Sequence, residues 1–437
     1  MSTALAAPPA PATPTPPGAV RLGPIRRAGA LRHTSPGRLQ LILAALVALG
    51  VLTGLVAGLT ASSASAGTTD LGNRAQPLLV EAESIYSALA DADTTAAQAF
   101  LAGGLEPVAL TRRYEDDLTR ATTALTSAAR RTPDGSDSAG AVAALSSGVS
   151  QYAALVATAR ANNRQGLPVG SSYLSAASQL NRDTLLPQAQ ELFRIAQREV
   201  AGGYRSARSV WWLTLFIVLL VLLLVALVLA QRYLSRATHR TFNMPLLSAT
   251  GLIALVALGA GGVLINQNVH LHRADVQGSA PAAVLAEARI LALRERGDEA
   301  LALAAHGSGG AYESDFAAAQ KQLTAPGGPL ASDYLAGEAG TTHQAYLDLH
   351  KRVRALDDGG DYDNAVKLAI GADTTKAFDT VTTDIGAAID QRKTAFTSEI
   401  DSAGDGLAVL IVLGPLLALI ACALVAVGLR ARLEEYR

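Results

Sequence analysis

The chain has one cysteine, Cys422, so no disulfide can form within it and its long non-apolar regions must be held by packing alone. Aromatic residues are few, at 5%, which leaves little to line a wide aromatic pocket; alanine fills many would-be core positions, as suits closely packed helices. Lysine occurs only at Lys321, Lys351, Lys367, Lys376 and Lys393, while arginine is spread throughout. That bias, with the abundant Ala and Gly, fits a GC-rich bacterial genome. Net charge is −1, which gives no case for a nucleic-acid partner. Also missing is any Asp, Glu, Lys, Arg or His between the ends of the long apolar runs. Transporters, pumps and channels use such groups at the midplane, so conduction is disfavoured.

Four such runs are present, at 39–61, 210–230, 245–265 and 406–429. Each reaches the length of about 20 residues that a helix needs to cross a hydrocarbon core of ~30 Å. They divide the chain into two copies of one plan: span, outside domain, span. Arg21, Arg26, Arg27, Arg32 and Arg38 precede the first run, Arg232, Arg236 and Arg240 lie in 231–244, and Arg430, Arg432 and Arg437 end the chain. Short Arg-rich segments stay in the cytosol, which predicts a multi-pass protein of the cell membrane with both termini inside. Arg205 and Arg208 run against the trend, but long translocated domains follow the rule poorly. Ala64-Ser65-Ala66 has the look of a signal-peptidase site; the run before it is longer than a signal core of ~7–15 residues, which favours a retained anchor.

Residues 1–38 are Pro-rich and then Arg-rich, which predicts a disordered cytosolic tail that rests against anionic lipid. In 62–209 the apolar residues fall at helical spacing, as at Leu78, Ile85, Leu89, Ala92, Ala96 and Phe100. Breakers at 103–107, 132–140 and 162–168 cut the region into four helices, the outer two continuous with spans. Region 266–405 repeats the pattern, with turns at 306–311, 325–330 and 357–362. Tyr114-Glu115-Asp116-Asp117-Leu118 is echoed by Tyr312-Glu313-Ser314-Asp315-Phe316, and Tyr152, Arg160 and Gly166 recur at one fixed offset as Tyr346, Arg354 and Gly360. The predicted fold is an all-α membrane protein with four transmembrane helices and two tandem extracytoplasmic up-down four-helix bundles made by internal duplication.

Gly50, Gly54 and Gly58 form a small-residue stripe in the first run, and Gly414, Ala418, Cys422 and Ala426 a second one in the fourth. Such stripes let helices approach closely in lipid, within one chain or between two copies in a homodimer. Pro415 predicts a kink. Asp357-Asp358-Gly359-Gly360-Asp361-Tyr362-Asp363 lacks the spacing and the twelfth-place Glu of a calcium loop; a helix stop at Gly359-Gly360 with Asp361 capping the next helix explains it better. Its Asp357, Asp358, Tyr362 and Asp363 form an acidic, exposed tip suited to a basic patch on a partner. His270, His272, His343 and His350 read as solvated helix residues, and Asp91, Asp93 and Asp298 lie where the repeats align but could equally face solvent. Arg289, Arg294 and Arg296 are candidates for direct capture of an amino acid. No catalytic set, cofactor loop or metal site emerges, so an enzyme is not expected.

The passage Gly359-Gly360-Asp361-Tyr362-Asp363-Asn364-Ala365-Val366-Lys367-Leu368 resembles the turn between helices three and four of chemoreceptor-type four-helix-bundle sensor domains. The first repeat departs from it, with Gly166-Leu167-Pro168. Two such bundles, four spans, a basic amino terminus and no cytosolic domain resemble the actinobacterial membrane protein of the glutamine-sensing pathway. The resemblance implies two partners: an extracytoplasmic amino-acid-binding lipoprotein and a cytosolic serine/threonine kinase, protein kinase G. The expected function is a relay of an amino-acid signal of the glutamate, aspartate or glutamine type; the alternative is a cell-envelope scaffold that responds to no ligand.

Overall fold

The computed structural model describes residues 35–102, 106–208, 210–238, 243–305, 307–331, 335 and 338–434. Most of the expected 1–38 tail, part of the 231–244 loop and the last residues lie outside the described residues. Among those described, every regular element is helical. In chain order they are α1 (Ser35–Asp70), α2 (Gln76–Leu101), α3 (Val108–Arg131), α4 (Asp137–Arg164), α5 (Val169–Leu180), α6 (Leu186–Ala207) and α7 (Val210–Thr238). There follow α8 (Met244–Arg273), α9 (Ala280–Ala304), α10 (Gly310–Thr324), α11 (Glu338–Asp358), α12 (Tyr362–Ala369), α13 (Ala372–Gly404) and α14 (Leu407–Glu434).

Three joints are not breaks. Between α1 and α2, α5 and α6, and α8 and α9 the helix passes through a π-helical turn, at Leu71–Ala75, Asn181–Leu185 and Ala274–Ser279. The amide N–H after each turn reaches back five residues, from Gln76 to Leu71, Leu186 to Asn181 and Ala280 to Asp275. A proline follows at once in all three cases: Pro77, Pro187 and Pro281. Proline has no N–H to give the carbonyl four residues earlier and its ring pushes that carbonyl aside, so widening the turn keeps the helix whole. The carbonyl left over by Pro77, that of Asn73, accepts instead from Arg131 Nη1 at 2.8 Å.

Five helical runs are long and apolar enough to cross a membrane, by length and composition: Gly37–Leu101, Asp137–Arg164, Val169–Arg236, Met244–Ala304 and Tyr362–Ala431. Four contain the apolar runs seen in the sequence. The additional one is α4, whose Val142, Leu145, Val149, Tyr152 and Val156 are buried in a core while Ser146, Ser147, Ser150 and Gln151 are exposed.

The chain forms two compact units. The first comprises the described residues up to Val56, Phe216–Ala257 and those from Gly414 on. Its core is apolar, with Leu227, Leu246, Ala249 and Leu429 almost wholly enclosed. Here α1 and α14 meet through the two small-residue stripes: a Cβ placed on Gly50 would lie 2.6 Å from Cys422 Sγ, and one on Gly54 2.7 Å from Ala418 Cβ. The seam is thus filled from within the chain. Gly414 is also buried, and α14 runs as one helix through Pro415.

The second unit holds Ala57–Leu215 and Leu258–Leu413, so both regions expected as outside domains share one packed body. Around α2 lie α3 and α6, with α4 against α5 and α6; around α9 lie α10 and α13, with α11 against α12 and α13. The decisive contact is between α2 and α9 themselves. It leaves α2 no wet face, and every residue from Ile85 to Ala99 is buried. Gln267 of α8 ties the base of the unit together, donating within 3.4 Å to the Ala64 carbonyl, Thr68 Oγ1 and the Ala207 carbonyl.

Overpacking a close helix seam costs about 1–3 kcal/mol. Gly54→Val should therefore lower the thermal unfolding temperature of the purified protein, and Ala418→Gly in the same chain should restore part of the loss. Additive effects of the two changes would show that this seam is not the contact.

Candidate functional site

The polar residues that α2 and α9 bury have to be answered from neighbouring helices, and they divide into three clusters. In the first, Asp91 lies 3.8 Å from Arg113 and 3.7 Å from Arg120, Asp117 is paired with Arg120, and Arg113 reaches Asp379 at 3.0 Å. Burial, reinforced by the nearby Asp91 carboxylate, pushes Asp117 up to about 7.

The second cluster centres on Asp93. It accepts from Ser178 Oγ at 3.0 Å and Tyr152 Oη at 3.2 Å, yet burial prevails over both bonds and raises it to about 6. Beside it, Arg182 bridges Asp298 at 2.9 Å and Asp315 at 3.0 Å, with its guanidinium 4.5 Å above the Tyr312 ring. Asp298 is 2% exposed, and burial holds it up at about 7 against Arg182 and Arg294.

The third cluster belongs to α9. Glu295 pairs with His343 at 2.7 Å, and Glu299 with His350 at 2.8 Å. His350 also meets Glu313 at 3.2 Å and stacks on Phe316, 3.8 Å between ring centres. These two histidines are buried, not solvated as their sequence suggests. Their partners lie on α9 and α10, far from α11 in the chain. His270, likewise, contacts Glu399 at 2.6 Å.

A cavity of about 240 Å³ opens at the second cluster, walled by α2, α9, α10 and the π-turn Asn181–Leu185. Three polar atoms on its walls have no hydrogen-bond partner among the described residues: Asn181 Oδ1, Asp298 Oδ2 and Arg182 Nη1. A buried polar group left this way is costly, so water or another small molecule in the cavity completes its bonding.

Residues 67–205 match the family model described as an actinobacterial sensor domain. No curated protein matches the chain. The match supports an actinobacterial sensor protein. It takes in α2 through most of α6, and with them Asp93, Asn181 and Arg182. The opposite wall of the cavity, from α9 and α10, lies beyond the matched segment.

The candidate arginines do not converge. Arg294 lines the cavity and is exposed, with no ion pair among the described residues. Arg289 lies 3.5 Å from Glu83, and Arg296 is enclosed, bonded to Glu299 and to the Ala369 carbonyl. At the acidic tip, the helix stops as expected, with Gly360 at φ +81°, but Asp357 and Asp358 are both held by Arg354 at 2.6 Å. Tyr362 donates to the Leu303 carbonyl at 3.2 Å, and Asp363 is exposed. Asp361 stands before α12, but its side chain accepts from Asn364 Nδ2 at 2.8 Å and does not cap the helix. Among the described residues no group of three or more His, Cys, Asp or Glu is placed to hold a metal.

Sequence reasoning missed Asn181, Arg182 and the pairing of Asp93 with Tyr152. It also missed the His–Glu pairs, although the i, i+4 spacing of Glu295 and Glu299 put both on one face of α9. For His350, burial opposes the proton but the hydrogen bonds to Glu299 and Glu313 outweigh it, raising the imidazole to about 9. A raised imidazole stabilises the fold fully below its ordinary value near 6.5, and that stability is lost as pH rises through about 9. The raised carboxyls Asp117 and Asp298 act earlier, costing stability as pH climbs toward about 7. The unfolding temperature should therefore keep falling between pH 7 and 9, and His350→Gln should flatten that upper part while removing at most about 3 kcal/mol. An unchanged slope would mean that His350 is not charged in the fold.

Proposed function

We propose that the protein is a transmembrane sensor that passes an amino-acid signal of the glutamate, aspartate or glutamine type from an extracytoplasmic solute-binding protein to a cytosolic serine/threonine kinase. In this reading four of the five apolar runs cross the cell membrane, both termini are cytoplasmic, and the second unit stands outside as two tandem four-helix bundles. The fifth run, α4, stays outside because one face is committed to a core and the other carries Ser and Gln. The protein relays a change and catalyses nothing.

The observation that supports this best is the continuity of the helices. Gly37–Leu101 and Met244–Ala304 each run from an uncharged apolar segment to the cavity wall without a break. A ligand or partner that favours one arrangement of α2 and α9 over another shifts the population of both, and a rigid helix carries the shift along its length. The match to a sensor domain agrees with it. Output then falls to the segments 231–244 and 430–437.

Cells lacking the gene should lose the phosphorylation response of the kinase substrates to added glutamate, aspartate or glutamine; an intact response sinks the relay. The tip is the proposed contact for the binding protein. Because Asp357 is tied down by Arg354 and mostly enclosed, the informative change is Asp358→Lys with Asp363→Lys. It should slow association and flatten its salt dependence. Association that ignores the double change puts the contact elsewhere.

A further inference from the structure

The cavity between α2 and α9 has a polarity of its own. Its inner wall carries two acceptors that receive no hydrogen bond among the described residues, Asn181 Oδ1 and Asp298 Oδ2, on residues that are 0% and 2% exposed. Its lining holds Asp93, Asp183, Asp298 and Asp315 against two arginines, and Arg182 is already shared between Asp298 and Asp315. The other arginine, Arg294, is exposed and has no ion pair among the described residues, and it lies close enough to Asp298 for their charges to interact. Acceptors lie inside and a cation stands in the exposed part of the lining.

An anion alone would meet the acidic surplus. An apolar molecule would leave the buried acceptors unanswered. At about 240 Å³ the space is smaller than the ~300–1,000 Å³ of sites for drug-sized ligands, so the occupant is small. We propose that this cavity binds a small zwitterion of the free-amino-acid class, its ammonium group donating to Asn181 and Asp298 and its carboxylate paired with Arg294. Arg182 Nη1 remains as a donor for a second oxygen of the ligand. Such a ligand touches helices from both halves of the unit at once, so its binding depends on how α2 and α9 sit against each other.

The inference rests on the sensing reading for its purpose, but it needs neither binding protein nor kinase and is tested without them. The full-length protein in lipid nanodiscs would be screened by thermal shift against the standard amino acids, with calorimetry on those that stabilise it. Ethylamine and acetate serve as the two half-ligands. At least one amino acid should bind in the submillimolar range, with each half-ligand at least about tenfold weaker. Arg294→Gln, a change at an exposed side chain, should weaken the amino acid about tenfold and leave ethylamine unaffected. Gly297→Leu should block binding by filling the space, since Gly297 lines it and has only Thr94 Oγ1 near, 3.4 Å from where a Cβ would stand. No stabilisation by any amino acid at millimolar concentration overturns the proposal, as does binding indifferent to Arg294→Gln or surviving in Gly297→Leu. Acetate binding as tightly as the amino acid would make it an anion site and overturn it equally. None of these results bears on whether the kinase response depends on the gene.

Discussion

A carboxylate taken out of water must find a cation, a hydrogen bond or a proton, and the packing of α2 against α9 makes that demand repeatedly. Glu83, Asp91, Asp93, Glu295, Asp298 and Glu299 are all enclosed on these two helices. An apolar contact of the same size would tolerate sliding. Here Asp93 has to sit opposite Tyr152 and Ser178, and Glu295 and Glu299 opposite His343 and His350, so register is set by chemistry as well as by shape. Burial also outweighs the nearby arginines at Asp298, and at Asp117 on the adjoining α3, raising both to about 7. The unit is therefore held together by groups that respond to their surroundings near neutral pH.

The two halves use this constraint differently. Tyr152 and Tyr346 are each wholly enclosed on α4 and α11. Tyr152 donates a hydrogen bond from its hydroxyl to Asp93, while the Tyr346 ring packs edge-on against Phe378 at 5.3 Å. The half that contains α9 carries the His343 and His350 pairs; in the other, Arg113 and Arg120 stand beside Asp91. Repetition of a plan has not meant repetition of its interior. The matched sensor-domain segment accordingly accounts for one wall of the cavity and not for the other.

Much of the helical layout was legible because its signals are local. Gly166 and Gly360 end helices at φ +69° and +81°, conformations that favour glycine, and the loop after Arg131 begins at Thr132-Pro133. Apolar spacing located the helices and the small-residue stripes marked the α1–α14 seam. What was not legible depended on distant partners. Nothing near His350 announces Glu299, and nothing near Arg294 says that Arg289 turns to Glu83 and Arg296 to Glu299. The pause at Ile370–Gly371, which separates α12 from α13, carries only one glycine as its sign. Asp91, Asp93 and Asp298 proved to be buried, and the sequence left this open for a related reason: a buried Asp and a solvated one look alike until the helix opposite is known.

The three π-turns also fix a rotational offset. Each holds one residue more than the α-helical turn it replaces, so all that follows is turned by about 100° relative to an unbroken helix. In α1–α2 and α8–α9 that extra residue falls between the uncharged segment and the cavity wall. The face a helix shows to its neighbours below the joint and the face it shows above it are thereby decoupled, and each can be satisfied without compromising the other. The joint behaves as a phase adjuster set by a single proline, in which the count of residues, more than their identity, decides which side chains point into the cavity.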